Sequence, residues 1–299
     1  MSSNKTNGAG VFITIYGPSK AGKSTSTGAA GACGLFIAQE GGLLPIKNFL
    51  GIPVEFSSAK NVEGAAKMVE KGAGKHPTIV VDDFSLLVEQ TISTLEQSHG
   101  FGEMWRNLRK QVLGMRDAAR MATSKGTHVI FNCHESPPRT SSGKYVRGGP
   151  MMPGQLPEQF SAFSDIVARV VYDDTAAPWK YVLQTRPDAE HICGDRLDIL
   201  PDPAPMNIGE ALRAAGYDIP RPKELAWQDK VVDALSRQVL DSGIENWRPT
   251  LKAAAEKLAS KYDQAHVRWA LQDALHRAII TNARENRLAD MFTESEEAW

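Results

Sequence analysis

Residues 11–25, VFITIYGPSKAGKST, constrain this chain more than any other stretch. The apolar, β-branched run at 11–16 reads as a strand buried on both faces. Residues 17–24 then match G-x-x-x-x-G-K-[ST] without a mismatch, and 25–32 can open a helix. A glycine-rich turn between a strand and a helix N-terminus aims successive backbone N–H groups inward, and those dipoles favour an anion there. Gly17 and Gly22 are expected to permit the tight turn, with Pro18, Ser19, Lys20 and Ala21 forming its wall. Lys23 would set an ammonium against the β- and γ-phosphates, Ser24 would ligate Mg²⁺, and Thr25 completes the nucleotide-binding set. ATP and Mg²⁺ are the cofactors this motif implies.

The alternation continues through the first two hundred residues. Strands are predicted at 34–38 (GLFIA), 78–81 (TIVV), 128–131 (HVIF), 166–172 (IVARVVY) and 181–185 (YVLQT). Helices are predicted between them at 61–71, 84–96 and 103–123. Buried strands alternating with helices imply an α/β fold with a mostly parallel sheet covered on both faces. Pro- and Asp-rich sequence at 191–205, then Pro220 and Pro222, interrupt this pattern. Beyond them, 224–240 and 250–291 read as helices rich in Ala, Leu, Lys and Arg. The chain is therefore divided into a core at 1–222 and a small helical C-terminal region at 223–299. That region ends in an acidic tail, DMFTESEEAW, which reads as a frayed terminus or as a peptide that docks on a basic surface.

Composition removes several classes. A net charge of −1, from 34 Lys+Arg and 35 Asp+Glu, gives no global attraction to nucleic acid or anionic lipid. Such binding needs a local basic patch. No apolar run reaches the roughly 18 residues of a membrane helix, so no membrane association is expected. The polar start, MSSNKTNGAG, lacks the apolar core of a signal peptide. Cys33, Cys133 and Cys193 are widely spaced and read as reduced thiols without a zinc site, which fits a cytoplasmic location.

Further candidates sit at predicted strand ends. TIVVDD at 78–83 ends in two acids: Asp82 is expected to join Ser24 in the Mg²⁺ shell, and Asp83 is placed to cap the following helix. Glu40, in GLFIAQEGG, could polarise a water for attack on the γ-phosphate as a general base; an exposed loop glutamate is the other reading. HVIFNCHE brings Asn132, His134 and Glu135 to a strand's C-terminal end, where open α/β sheets bind ligands. His134 is read there as a nucleotide contact or a satisfied loop histidine. Residues 136–160 hold five Pro and four Gly, with Arg139, Lys144 and Arg147 interleaved with Tyr145. They read as a long mobile loop, able to neutralise phosphates and stack on a base, or as an ordinary surface loop.

Taken in order, GPSKAGKST, FIAQEGG, TIVVDDFS, HVIFNCHE, the Gly/Pro stretch, FSDIVARVVY and YVLQTRP resemble the RecA/Rad51-type ATPase core. Over roughly residues 10–200 the chain is similar to the compact phage RecA-like ATPases that accompany single-strand annealing proteins. The resemblance implies a RecA-like P-loop NTPase core and a Mg-dependent ATPase acting on single-stranded DNA in recombination or replication. It implies Lys23 and Ser24 as binding nucleotide and Mg²⁺, Glu40 as the catalytic glutamate, Asp82 as the second acidic residue and 136–160 as the DNA-facing loop; Lys23, Glu40 and Asp82, with Arg186, form the expected catalytic set. It further implies a homo-oligomer, a single-strand annealing or single-strand binding protein as partner, and the bacterial host cytoplasm if phage-encoded. The sixteen residues ahead of Gly17 contain no obvious polymerisation segment, so an oligomer other than the RecA filament is expected.

Two basic features complete the reading. At 100° per residue, Arg106, Arg109, Lys110, Arg116 and Arg120 fall within about 120° of one another beside an apolar face. That is a DNA-facing stripe or a solvated helix face. Arg186, after YVLQT, or Lys180, before it, could reach a neighbouring subunit's γ-phosphate. The loop alone also fits a helicase or helicase loader, a small-molecule phosphotransferase, or a nucleotide-gated binding protein without significant turnover.

Overall fold

A computed structural model of the chain describes residues 8–31, 34–38, 42, 46, 54–141, 143–174 and 180–297. The buried run after Val11 forms β1 (Phe12–Gly17), and the lysine of the glycine-rich turn opens α1 (Lys23–Gly31). Then follow β2 (Leu35–Ile37), β3 (Glu55–Ser57), α2 (Val62–Gly72), β4 (Thr78–Val81), α3 (Phe84–Glu96) and α4 (Phe101–Ser124). The chain continues through β5 (His128–Ser136), β6 (Arg139–Ser141), β7 (Lys144–Val146), β8 (Gly149–Pro150), α5 (Leu156–Ser161), β9 (Ile166–Tyr172) and β10 (Tyr181–Gln184). It closes with β11 (Gly194–Asp195), β12 (Ala204–Pro205), α6 (Ile208–Ala214), α7 (Trp227–Asp241), α8 (Trp247–Ala259) and α9 (Gln264–Glu297).

The main sheet runs β12-β10-β9-β1-β5-β4-β2-β3, and every pairing from β9 to β3 is parallel. β10 and β12 add antiparallel pairings at one edge. Alternation along β1 divides its side chains between two cores. Phe12 and Tyr16 point to the face covered by α2, α3 and α4, where Phe84, Phe131 and Phe160 pack with ring centroids 5.0–5.1 Å apart. Ile13 and Ile15 point to the opposite face, with Phe36, Val80 and Ile130. This is an α/β architecture with a mostly parallel sheet covered on both faces and additional C-terminal helices.

Two stretches differ from the sequence reading. Residues 136–160 are not one structureless loop. They contain the β6–β7 hairpin, β8 paired antiparallel with β5, and α5. Gly143 takes φ +73° in the hairpin turn, a conformation that costs glycine nothing. Gly148 and Gly149 let the chain press on the 191–192 segment, because a Cβ on Gly148 would sit 2.9 Å from His191 Cδ2. The helix expected over 250–291 is broken between Ala259 and Gln264. Asp263 causes the break by accepting N–H bonds from Ala265 and His266 at the start of α9.

The C-terminal helices pack on the second core. Trp269 and Ile280 of α9 are buried with Ile208, Ala211 and Leu212 of α6. Arg221, beside the expected boundary at 222, is buried and ion-paired to Glu210 of α6 and Asp273 of α9. A smaller cluster around Val232, Val239, Leu251 and Ala274 joins α7, α8 and α9.

Candidate nucleotide site

The glycine-rich turn leaves β1 at the C-terminal ends of the parallel strands, the end where such sheets bind ligands. Gly22 has φ +85° and Lys20 φ +63°, so two residues carry the left-handed backbone of the turn. Gly17 is required for a different reason from the one expected. A Cβ there would lie 2.6 Å from Val170 Cβ on β9, so glycine permits the close approach of the two strands. Pro18, Ser19, Lys20 and Ala21 form the turn, and Ser19, Lys20, Gly22, Ser24 and Thr25 border a cleft of about 510 Å³.

Lys23 folds over its own loop: Nζ donates to the carbonyl oxygens of Gly17 at 3.0 Å and Pro18 at 2.7 Å. Burial pulls its pKa below the usual lysine value, opposed by Asp83, Asp82 and Glu135. Ser24 Oγ donates to both carboxylate oxygens of Asp82, at 3.0 and 2.9 Å. Asp82 follows β4, which is separated from β1 by β5. Its side chain reaches across that gap, and burial raises its pKa despite hydrogen bonds from Asn132 and Ser24.

Asn132 supplies the link between these elements. From the middle of β5 its Nδ2 donates to Asp82 Oδ1 at 2.7 Å and to Thr27 Oγ1 at 3.0 Å, tying β4 to α1. Its Oδ1 is buried without a hydrogen-bond partner among the described residues, and Asn132 borders the cleft. Ser24 Oγ, the Asp82 carboxylate and this orphaned oxygen are hard donors, and they fit a Mg²⁺ with part of its water shell. Asp83 adopts a left-handed φ of 55°, caps α3 through Leu86 N at 3.2 Å, and lies 3.3 Å from His134 Nε2. His134 also borders the cleft, and its N–H donates to Ser85 Oγ.

Other candidates are distributed around this centre. Glu40 lies outside the described residues, between the cleft-bordering Ala38 and Gly42. Glu135 pairs with Arg169 Nε at 2.7 Å and so belongs to a separate polar group with Gln184, Asp188 and His191. Sequence reasoning passed over Arg169 and Thr27. A charged residue inside IVARVVY was the available signal for the first; nothing marked the second. Arg186 is exposed just past β10 and ion-paired with Asp198 at 3.1 Å, and Lys180 is exposed at its start.

The basic stripe on α4 divides in two. Arg116 pairs with Asp117 and stands 4.0 Å over the Phe163 ring, and Arg120 pairs with Asp165. These two are held inside the protein's own contacts. Arg106, Arg109 and Lys110 are exposed, with Arg109 Nε donating to Gln159 Oε1 at 3.2 Å. On the hairpin, Arg139 reaches back to Ser136 Oγ, Lys144 and Tyr145 are exposed, and Arg147 follows near Glu158.

Comparison with known proteins gives a family. The AAA domain (AAA_24) family matches residues 9–197, from just ahead of β1 to just past β11. No curated protein matches the chain. Among solved structures, the flagellar accessory protein FlaH of Methanocaldococcus jannaschii is similar at 12% identity and a TM-score of 0.36. That alignment covers 59% of this chain and 77% of FlaH. A KaiC-like protein of Pyrococcus horikoshii is similar at 15% identity and TM-score 0.36, over 62% of this chain and 83% of that protein.

Proposed function

Because the chain belongs to the AAA domain family of P-loop NTPases, we propose that it is a Mg²⁺-dependent ATPase acting on single-stranded DNA in recombination or replication. The observation that carries this reading is the course of β5. It passes Asn132 and His134 at the nucleotide cleft and runs directly into the exposed basic hairpin β6–β7. A strand shared by both sites lets nucleotide occupancy and nucleic-acid contact bias the same element.

In this reading Lys23 and the loop amides hold the phosphates, and phosphate oxygens replace the carbonyl contacts of the ammonium. Ser24 and Asp82 would hold Mg²⁺, which neutralises charge on the phosphates when bound. Asn132 fixes the Asp82 carboxylate, and His134 borders the γ-phosphate end. Glu40 positions the attacking water, a role resting on its place after β2 between two cleft-bordering residues. Arg139, Lys144 and Arg147 meet DNA phosphates. In a homo-oligomer, exposed Arg186 would reach a neighbouring subunit's nucleotide, and a single-strand annealing or binding protein is the natural partner. Among the described residues no helix is long and apolar enough to cross a membrane.

The test is ATP turnover with and without single-stranded DNA, with Lys23→Ala as the blank and Glu40→Gln as the base variant. DNA stimulation that is lost in both variants supports the reading. Turnover indifferent to DNA removes the DNA role and leaves the nucleotide site. Strand separation, or a complex with a replicative helicase, would favour a helicase or its loader. ATP binding without turnover, even with DNA present, would favour a nucleotide-gated binding protein.

A further inference from the structure

Among the described residues, three other than glycine take a left-handed backbone: Lys20 at φ 63°, Asp83 at 55° and Asp198 at 50°. Aspartate tolerates that region because its short carboxylate bonds nearby backbone N–H groups, as Asp83 does at the N-cap of α3. Lysine has no such compensation. Its Cβ crowds the following carbonyl, and glycine at the same position would remove the crowding. The loop itself shows that solution two residues on. Gly22 meets the same backbone demand at φ 85°, although a Cβ there would have room, with Met206 Cε the nearest atom at 4.0 Å. Ala21 between them is buried in the second core, which holds the backbone in place.

Strained backbone of this kind collects at sites that need a side chain in one place. Lys20 borders the nucleotide cleft from the phosphate-loop side, and Asp82, Asp83 and His134 border it from the strand ends. The other charged groups there already have partners. Asp82 accepts from Ser24 and Asn132, Asp83 lies beside His134, and Lys23 donates to the carbonyls of Gly17 and Pro18. Lys20 is exposed, and among the described residues its ammonium has no ion pair within 4.0 Å.

Resting on the nucleotide reading above, we propose that the Lys20 side chain binds the γ-phosphate and makes the site prefer a nucleoside triphosphate to the diphosphate. The loop amides surround the β-phosphate, which both nucleotides carry. The γ-phosphate adds charge beyond them, on the side of the cleft where the Asp83 carboxylate repels it. A cation on a flexible four-carbon stem, standing mid-loop across from Asp83, offsets that repulsion with a charge-assisted hydrogen bond. Once the γ-phosphate is gone the contact is lost, and ADP is held by the loop amides and Lys23 without it. A glycine at position 20 would give the loop the same shape and none of this discrimination.

The experiment is calorimetric titration of the full chain, in Mg²⁺, with ADP and with the non-hydrolysable β,γ-imido analogue of ATP. Lys20→Gly satisfies the backbone and removes only the charge. It should bind the triphosphate analogue about tenfold more weakly and ADP within about twofold of wild type. Lys20→Arg restores a cation and should keep most of the preference. If Lys20→Gly matches wild type in both affinities, or weakens both equally, the lysine does not read the γ-phosphate; the assignment falls while the nucleotide reading stands. Equal affinity of wild type for the two nucleotides overturns it as well. If wild type binds neither nucleotide, the nucleotide reading and this assignment fall together.

Discussion

Replacing Arg221 with Met removes one cation from a buried cluster and leaves its carboxylates behind. The side chain is 1% exposed. Nη2 donates to Glu210 Oε1 at 2.5 Å, Nη1 to Asp273 Oδ2 at 2.7 Å, and Nε to Asp229 Oδ1 at 2.7 Å. Glu210 would keep Arg213 and Arg277, whereas Asp273 would keep the Asn207 amide at 2.7 Å. At an effective dielectric of about 20, opposite charges roughly 3 Å apart attract by about 5 kcal/mol before desolvation. Burial of the guanidinium offsets part of this, and breaking such a pair costs about 3–5 kcal/mol. We expect Arg221→Met to lose about 4 kcal/mol at pH 8. Asp273 supplies a second signature. Burial and the neighbouring Glu210 already push its pKa up to about 6. A carboxyl raised on folding contributes stability at low pH and loses it as pH rises through the folded value. Without Arg221 that value climbs further, so the deficit should shrink by about 2 kcal/mol between pH 8 and pH 5.5, at roughly 1.4 kcal/mol per unit. Urea unfolding at the two pH values measures both numbers. A loss below about 1 kcal/mol at pH 8, or equal deficits at both, would refute the assignment of a buried, paired charge cluster.

Two further outcomes follow from single contacts. Gly17→Ala puts a methyl 2.6 Å from Val170 Cβ, so β1 and β9 must part at the phosphate loop, at about 1–3 kcal/mol. Nucleotide affinity should fall and partly return with Val170→Gly, which removes the clashing Cβ; titration with a fluorescent ATP analogue decides, and wild-type affinity in Gly17→Ala sinks the steric argument. His128 Nδ1 accepts the Val11 N–H at 3.1 Å, and burial lowers its pKa to about 4. That neutral ring contributes stability above pH 6.5 that is lost as pH falls through 4, up to about 3 kcal/mol. An NMR titration assigned with His128→Gln should show the ring neutral at pH 5, and an ordinary midpoint near 6.5 would contradict it.

The nucleotide centre was legible because its chemistry is local. A strand, a glycine-rich turn and a helix N-terminus lie within fifteen consecutive residues, an order whose backbone N–H groups favour an anion. TIVV and IVARVVY coincide with β4 and β9 because buried parallel strands are continuous apolar runs. Asn132 was visible as a strand-end polar residue, but its bond to Asp82 depends on β5 lying between β1 and β4, an order that periodicity does not encode. Gly17 was assigned to a turn for the same reason: its actual constraint is a valine 153 positions away. The basic stripe on α4 was correct as helical geometry. Only tertiary contacts reveal that Asp165 and Phe163 take two of its five cations inward.

The C-terminal helices were the least legible part, and the reason bears on the nucleotide site. A division at 222 follows from prolines and a change of composition, which are local signals. Opposing it are three arginines and two acids spread over 67 positions, which no window can connect. Through them α9 holds Glu210 on α6, and α6 packs against α1, the helix that begins with Lys23 and Ser24. Met206, just ahead of α6, is the side chain facing Gly22 in the phosphate loop. The C-terminal helices therefore brace the loop from behind, through one layer of helix. A buried ionic brace is a poor source of stability compared with an apolar one, yet it admits few alternative packings, since any shift strands a charge. For a loop that must hold its amides in one arrangement around a phosphate, that intolerance of displacement is the property that matters.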